Sequence, residues 1–91
     1  MEKPTHAIFI PEPVRYDDRL SPIHKIMYGE FVHYCKDGYF ETSKSFFAKL
    51  YNVSTNTVAS WIKTLETCGY IRSESVIQSN GGVSGKRYYI G

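Results

Sequence analysis

Apolar and polar positions recur along this chain with two different periods, and the change of period marks its elements. In "LSPIHKIMYGEFVHYCKDG", Ile23, Met27, Phe31, Tyr34 and Cys35 form one apolar stripe, as on a helix. Ser21 is a good N-cap, and Pro22 stands at the first helical position, where its missing N–H costs nothing. Gly38 supplies a left-handed stop. Gly29, unfavourable inside a helix relative to alanine, predicts a close helix contact at that point. "KSFFAKLY" reads as a second helix with Ser43 as its cap. Asn52 suits a left-handed turn position, and Ser54 caps a third helix running to about Cys68, where Gly69 ends it. Val58, Trp61, Ile62 and Leu65 fall at i, i+3, i+4 and i+7 of that helix, which is one buried face.

The remaining segments read as extended. "HAIFIPEPV" meets Pro11 and Pro13 and predicts an extended arm or edge strand, followed by the polar turn "RYDDR". "YFET" is too short to stand alone and predicts a small strand pairing with a later hairpin. That hairpin is formed by "YIRSESVIQ" and "RYYIG", with "SNGGVSGK" as the loop and Asn80-Gly81 as its turn signal. The order is helix, short strand, helix, helix, hairpin. It predicts an α+β fold, a winged helix-turn-helix with three helices, a short strand and a C-terminal β-hairpin wing. Residues 1–20 form the extended N-terminal arm and residues 21–91 the single winged helix-turn-helix domain. The chain stops at Gly91 where the second hairpin strand should be finishing, so we expect one domain cut from a longer protein.

Two helices joined by so short a turn must cross closely at a steep angle. The crossing needs a small residue on the first helix, met by Ala48, and a permissive backbone in the turn, met by Asn52. It needs apolar residues on the inner face of the second, met by Val58 and Trp61. Their fixed offsets, more than any one residue, carry the signal.

Composition adds that the core leans on aromatic rings: the 91 residues include eight Tyr and five Phe. The net charge of +2 is small but unevenly placed. Residues 1–38 hold five basic and six acidic side chains, a net of −1, whereas residues 39–91 hold six basic and three acidic, a net of +3. The positive excess therefore lies with the helix-turn-helix and wing, which suits a polyanion. No secretory signal and no membrane-spanning apolar run is seen, and Cys35 and Cys68 lie far apart, so a reduced, cytoplasmic protein with buried thiols and no membrane association is expected.

No catalytic or cofactor chemistry emerges. "GGVSGKR" fails as a phosphate loop because Asn80 stands where the leading glycine is needed, Arg87 follows the lysine, and no helix comes after. His33, Cys35 and Cys68 match no common zinc spacing. Asp17 and Asp18 read as turn residues. The expectation is a protein that is not an enzyme, with no cofactor and no metal.

The chemistry that does emerge is nucleic-acid contact. A third helix entering a major groove would present its N-terminal residues to base edges. Ser54, Thr55, Asn56 and Thr57 begin it, with Ala59, Ser60 and Lys63 following. Asn56 can pair with adenine, and Ala59 can meet a thymine methyl. Ser43 and Lys44 at the start of the second helix are candidates for the backbone, and Lys86 and Arg87 of a wing spanning residues 78–87 for adjacent backbone or the minor groove. Lys49 and Arg72 read as solvated surface charges. Lys63, Lys86 and Arg87 on one face turned away from the core would favour duplex DNA as the partner; scattered over the surface, they would favour a protein-interaction module. Lacking arginine on its reading helix, an isolated domain should bind weakly and with strong salt dependence, and tight binding should need a homodimer, a higher assembly or repeated sites.

"FIPEPVRYDDRLSPIHKIMYGEFVHYCKDGYF" joined to "SFFAKLYNVSTNTVASWIKTLETCGYI" resembles the N-terminal winged helix-turn-helix domain of replication initiator (replisome organiser) proteins from phages, plasmids and mobile elements of low-GC Gram-positive bacteria. The resemblance covers about residues 8–72. It implies double-stranded DNA binding at a replication origin in the host cytoplasm, with replication proteins engaged through a C-terminal region not present here. It places the reading helix at Ser54 to Cys68. The sequence departs from the family pattern at Thr55 and Asn56, where relatives often carry a basic residue, and at Ala59, where many have Arg or Ser. A transcriptional regulator of the same fold and a protein-interaction or oligomerisation module using "HAIFIP" and "RYYIG" are the alternative readings.

Overall fold

The computed structural model describes residues 6–77 and 83–91. Within them lie α1 (Glu12–Arg15), α2 (Pro22–Tyr34), β1 (Phe40–Thr42), α3 (Lys44–Tyr51), α4 (Thr55–Thr67), β2 (Ile71–Ile77) and β3 (Val83–Ile90). This is the α+β winged helix-turn-helix order, with one additional turn of helix at the front. No helix of the described residues is long and apolar enough to cross a membrane.

Helix ends follow their local chemistry. The backbone N–H of Ser21 donates to Nδ1 of His24 at 3.0 Å, satisfying a donor at the start of α2. Asn52 adopts φ 55° and ψ 52°, the left-handed turn that lets α3 stop and α4 begin three residues later. Ser54 accepts from the N–H of Thr57 at 3.1 Å and caps α4. At the other end, Gly69 at φ +81° closes a Schellman turn, with Tyr70 N–H donating to Leu65 and Gly69 N–H to Glu66. Ser43 does not act as the side-chain cap expected of it. Its hydroxyl pairs with that of Ser45 at 2.7 Å instead.

The core is built around α2. Met27, Phe31 and Cys35 are buried, and the Phe31 ring lies 5.2 Å from both Phe47 of α3 and Tyr88 of β3. Val58, Ile62 and Leu65 of α4 are buried as their spacing predicts, while Trp61 is half-buried with its ring edge toward Tyr51. Phe40 stacks on Tyr34 at 4.6 Å, so even the three-residue strand has an anchor in the core.

The sheet runs β1-β3-β2, antiparallel throughout, with Phe40 and Ser73 both opposite Tyr88. "YFET" thus pairs with the hairpin as expected. The second hairpin strand begins at Val83, four residues earlier than the composition of "SNGGVSGK" indicates. Lys86 and Arg87 therefore lie within a strand and not at a loop tip. The Asn80-Gly81 turn lies outside the described residues.

The front of the chain is neither a strand nor wholly extended. Pro11 is the N-cap of α1 and Pro13 its second residue, in the first turn where a missing N–H is harmless, and Val14 is buried. The "polar turn" after it is a clasp: Asp17 accepts a forked pair of hydrogen bonds from the Arg19 guanidinium, and Tyr70 donates to it at 2.7 Å. Ahead of α1, Ile8 crosses Gly29, so the close contact predicted at that glycine is with the arm and not with a helix. His6 stacks on His33 with ring centroids 3.6 Å apart and reaches the buried Glu30 at 3.2 Å.

Candidate nucleic-acid interface

Three residues of α4 face the core, so the remainder of its circumference is fixed by the helical period. Asn56, Ser60, Lys63 and Thr67 follow one another at four, three and four residues, and all four are exposed. They form a polar stripe opposite Val58, Ile62 and Leu65. Asn56, Ser60 and Lys63 were expected here; Thr67 was missed, although the same period continues to it. Thr55 is exposed at the helix start. Ser54 and Thr57 are occupied with each other, their hydroxyls 2.9 Å apart within the cap. Ala59 is half-buried at the edge of the outward stripe, where it lines a hollow together with Lys63.

Beside the stripe lies a hollow of about 270 Å³ lined by Lys44, Lys63 and Lys86, with Ala59, Ile62, Glu66 and Tyr88 around them. Its three lysines come from three elements: the first residue of α3, the middle of α4 and the centre of β3. Lys86 reaches it because it shares a strand face with Tyr88, two residues on, which is buried against α2. Glu66, which the sequence reading passed over, is the acid of this hollow. Ser73 of β2 donates to its carboxylate at 3.1 Å and holds it toward the sheet.

Arg87 goes the other way. One residue from Lys86, it points to the outer face of the sheet, where it bonds Glu41 at 3.2 Å and lies 4.6 Å over the Tyr39 ring. The Glu41 hydrogen bond raises its pKa further. On the same face Arg72 covers Tyr89 at 4.1 Å, and the Tyr89 hydroxyl donates to Glu74 at 2.6 Å. Of the trio expected on one face, the fold unites Lys63 and Lys86, adds Lys44, and sends Arg87 to a self-neutralised surface. Ser43 is exposed next to Lys44, and Lys49 is exposed further along α3. Among the described residues, no three His, Cys, Asp or Glu side chains converge so as to hold a metal ion.

A family model described as a helix-turn-helix domain matches residues 18–71. No curated protein and no solved structure matches the chain. The matched segment contains α2, β1, α3, the turn at Asn52 and all of α4, and the chain belongs to this family of helix-turn-helix domains.

Proposed function

We propose that this domain binds double-stranded DNA with α4 in the major groove, and that it does so at a replication origin of a phage or plasmid. The observation that carries the DNA reading is the adjacency of the outward stripe to the lysine hollow. A major groove admits one helix, and its base edges take hydrogen bonds from Asn, Ser, Thr and Lys. Asn56 supplies the amide that matches adenine, and Ser60 and Lys63 follow along the groove. The lysines supply the salt-dependent attraction to phosphates that fixes position without reading sequence. The helix-turn-helix match supports DNA as the partner. The origin assignment rests on the sequence resemblance over residues 8–72.

The experiment is a duplex-binding titration at two salt concentrations followed by selection of preferred sites from random duplexes. Binding that strengthens as salt falls, with selected sites clustering as repeats within a replication origin, is the expected result. No binding at low salt would remove the DNA reading. Selected sites confined to a promoter would replace origin recognition by transcriptional control.

A further inference from the structure

We infer that the hollow between α3, α4 and β3 seats one backbone phosphate, held jointly by Lys44, Lys63 and Lys86; the inference rests on the DNA reading above. Three like charges drawn from three elements onto one hollow repel one another. Among the described residues the only carboxylate lining it is Glu66, and that is held by Ser73. The hollow is thus left with a surplus of positive charge, which a bound anion offsets.

The chemistry of the lining narrows the anion. The buried Ile62 and Tyr88 give the lining an apolar floor, along which lysine stems can lie with their ammonium groups toward water. Ammonium groups are point charges with three donors each and need no planar partner, unlike a guanidinium fork. A tetrahedral phosphate with unbridged oxygens can accept from several of them at once. Lys44 is the first residue of α3, where the helix dipole also favours an anion. Lys63 belongs to both the hollow and the stripe, so a phosphate seated here sets where α4 stands over the bases.

A shared phosphate differs measurably from three separate ones. We would titrate a selected-site duplex with the wild-type domain and with K44Q, K63Q and K86Q singly, in pairs and together, at several salt concentrations. Thermal unfolding of each variant would run alongside to show that it is folded. On one shared phosphate, the first substitution loses roughly tenfold in affinity, as for a charge-assisted hydrogen bond, and further substitutions add little. The slope of log K against log salt then falls by about 0.9 in total. A duplex with one methylphosphonate at the seated position should make all three substitutions silent. Losses that multiply independently, with the slope falling by about 0.9 for each lysine, would overturn the shared seat while leaving the DNA reading intact. A wild-type domain that binds no duplex at low salt would overturn both.

Discussion

Ile8 occupies the space in which any side chain at position 29 would place its first carbon: a β-carbon built on Gly29 would lie 3.0 Å from both Cβ and Cδ1 of Ile8. The arm is thereby fastened to α2 at a point where the helix gives up side-chain volume. Alanine at this site gains about 1 kcal/mol of helix propensity but forces the arm aside, and overpacking costs about 1–3 kcal/mol. We expect Gly29→Ala to destabilise the wild-type domain and to stabilise an Ile8→Ala background by up to about 1 kcal/mol. Urea unfolding of the four proteins checks the change of sign.

Asn56 is the exposed amide nearest the start of α4. Asn56→Ala should cost about 1–3 kcal/mol on a selected site containing adenine at the contacted step, and little on random duplex. Equal losses on both would show that Asn56 reads no base. Competition binding with the two duplexes measures this directly.

Arg87 and Lys86 should respond oppositely despite being neighbours. Arg87 is paired with Glu41 on the outer sheet face, so Arg87→Ala should change duplex affinity by less than about threefold at physiological salt. Lys86→Ala should weaken binding and reduce its salt dependence. An Arg87→Ala loss as large as that of Lys86→Ala would place the outer sheet face against DNA.

Asp17 ties stability to acid. Hydrogen bonds from Arg19, then from Tyr70, hold its carboxyl well below the ordinary carboxylate value. A depressed folded pKa contributes stability that is complete above the unfolded value of about 4 and is lost as pH falls toward the folded one. Stability should therefore decline on acidification below about pH 5, and Asp17→Asn should flatten that decline while lowering stability at neutral pH. Urea midpoints between pH 3 and pH 7 decide it; an unchanged acid slope in Asp17→Asn would exclude Asp17 as a source.

The two thiols should separate kinetically. Burial pushes the Cys35 thiol up to about 11, and it rests 3.5 Å from the Tyr88 carbonyl oxygen, whereas Cys68 is only half-buried at the end of α4. At pH 8 a thiol reagent should modify Cys68 first and Cys35 only as the protein unfolds. Cys68→Ser should abolish the early phase.

The helix-turn-helix was readable because its boundaries are chemical. Ser54, Asn52 and Gly69 each satisfy or permit a particular backbone geometry wherever they occur, and each sits where it was expected. The arm was harder. One turn of helix after Pro11 has no periodicity to display, and it is secured by Tyr70, more than fifty residues away. The site was half legible for a similar reason. Lys86 shares the face of the buried Tyr88 only because β3 extends back through both, since a strand alternates its faces. The glycines of "GGVSGK" disguised where β3 begins. Glycine suits position 85 of the strand because β1 comes so near that an added β-carbon would lie 3.3 Å from the Thr42 carbonyl oxygen.

The central position of β3 has a consequence for how the domain is made. Both other strands hydrogen-bond to it, yet it is the last of the three to leave the ribosome. Until residues 83–90 emerge, β1 and β2 have no ladder, and Phe31 lacks its Tyr88 neighbour. The helices can associate during synthesis, but the wing must close in a single late step. A ribosome stalled with those residues still in its exit tunnel should hold a nascent domain whose β1 and β2 amides exchange freely with solvent.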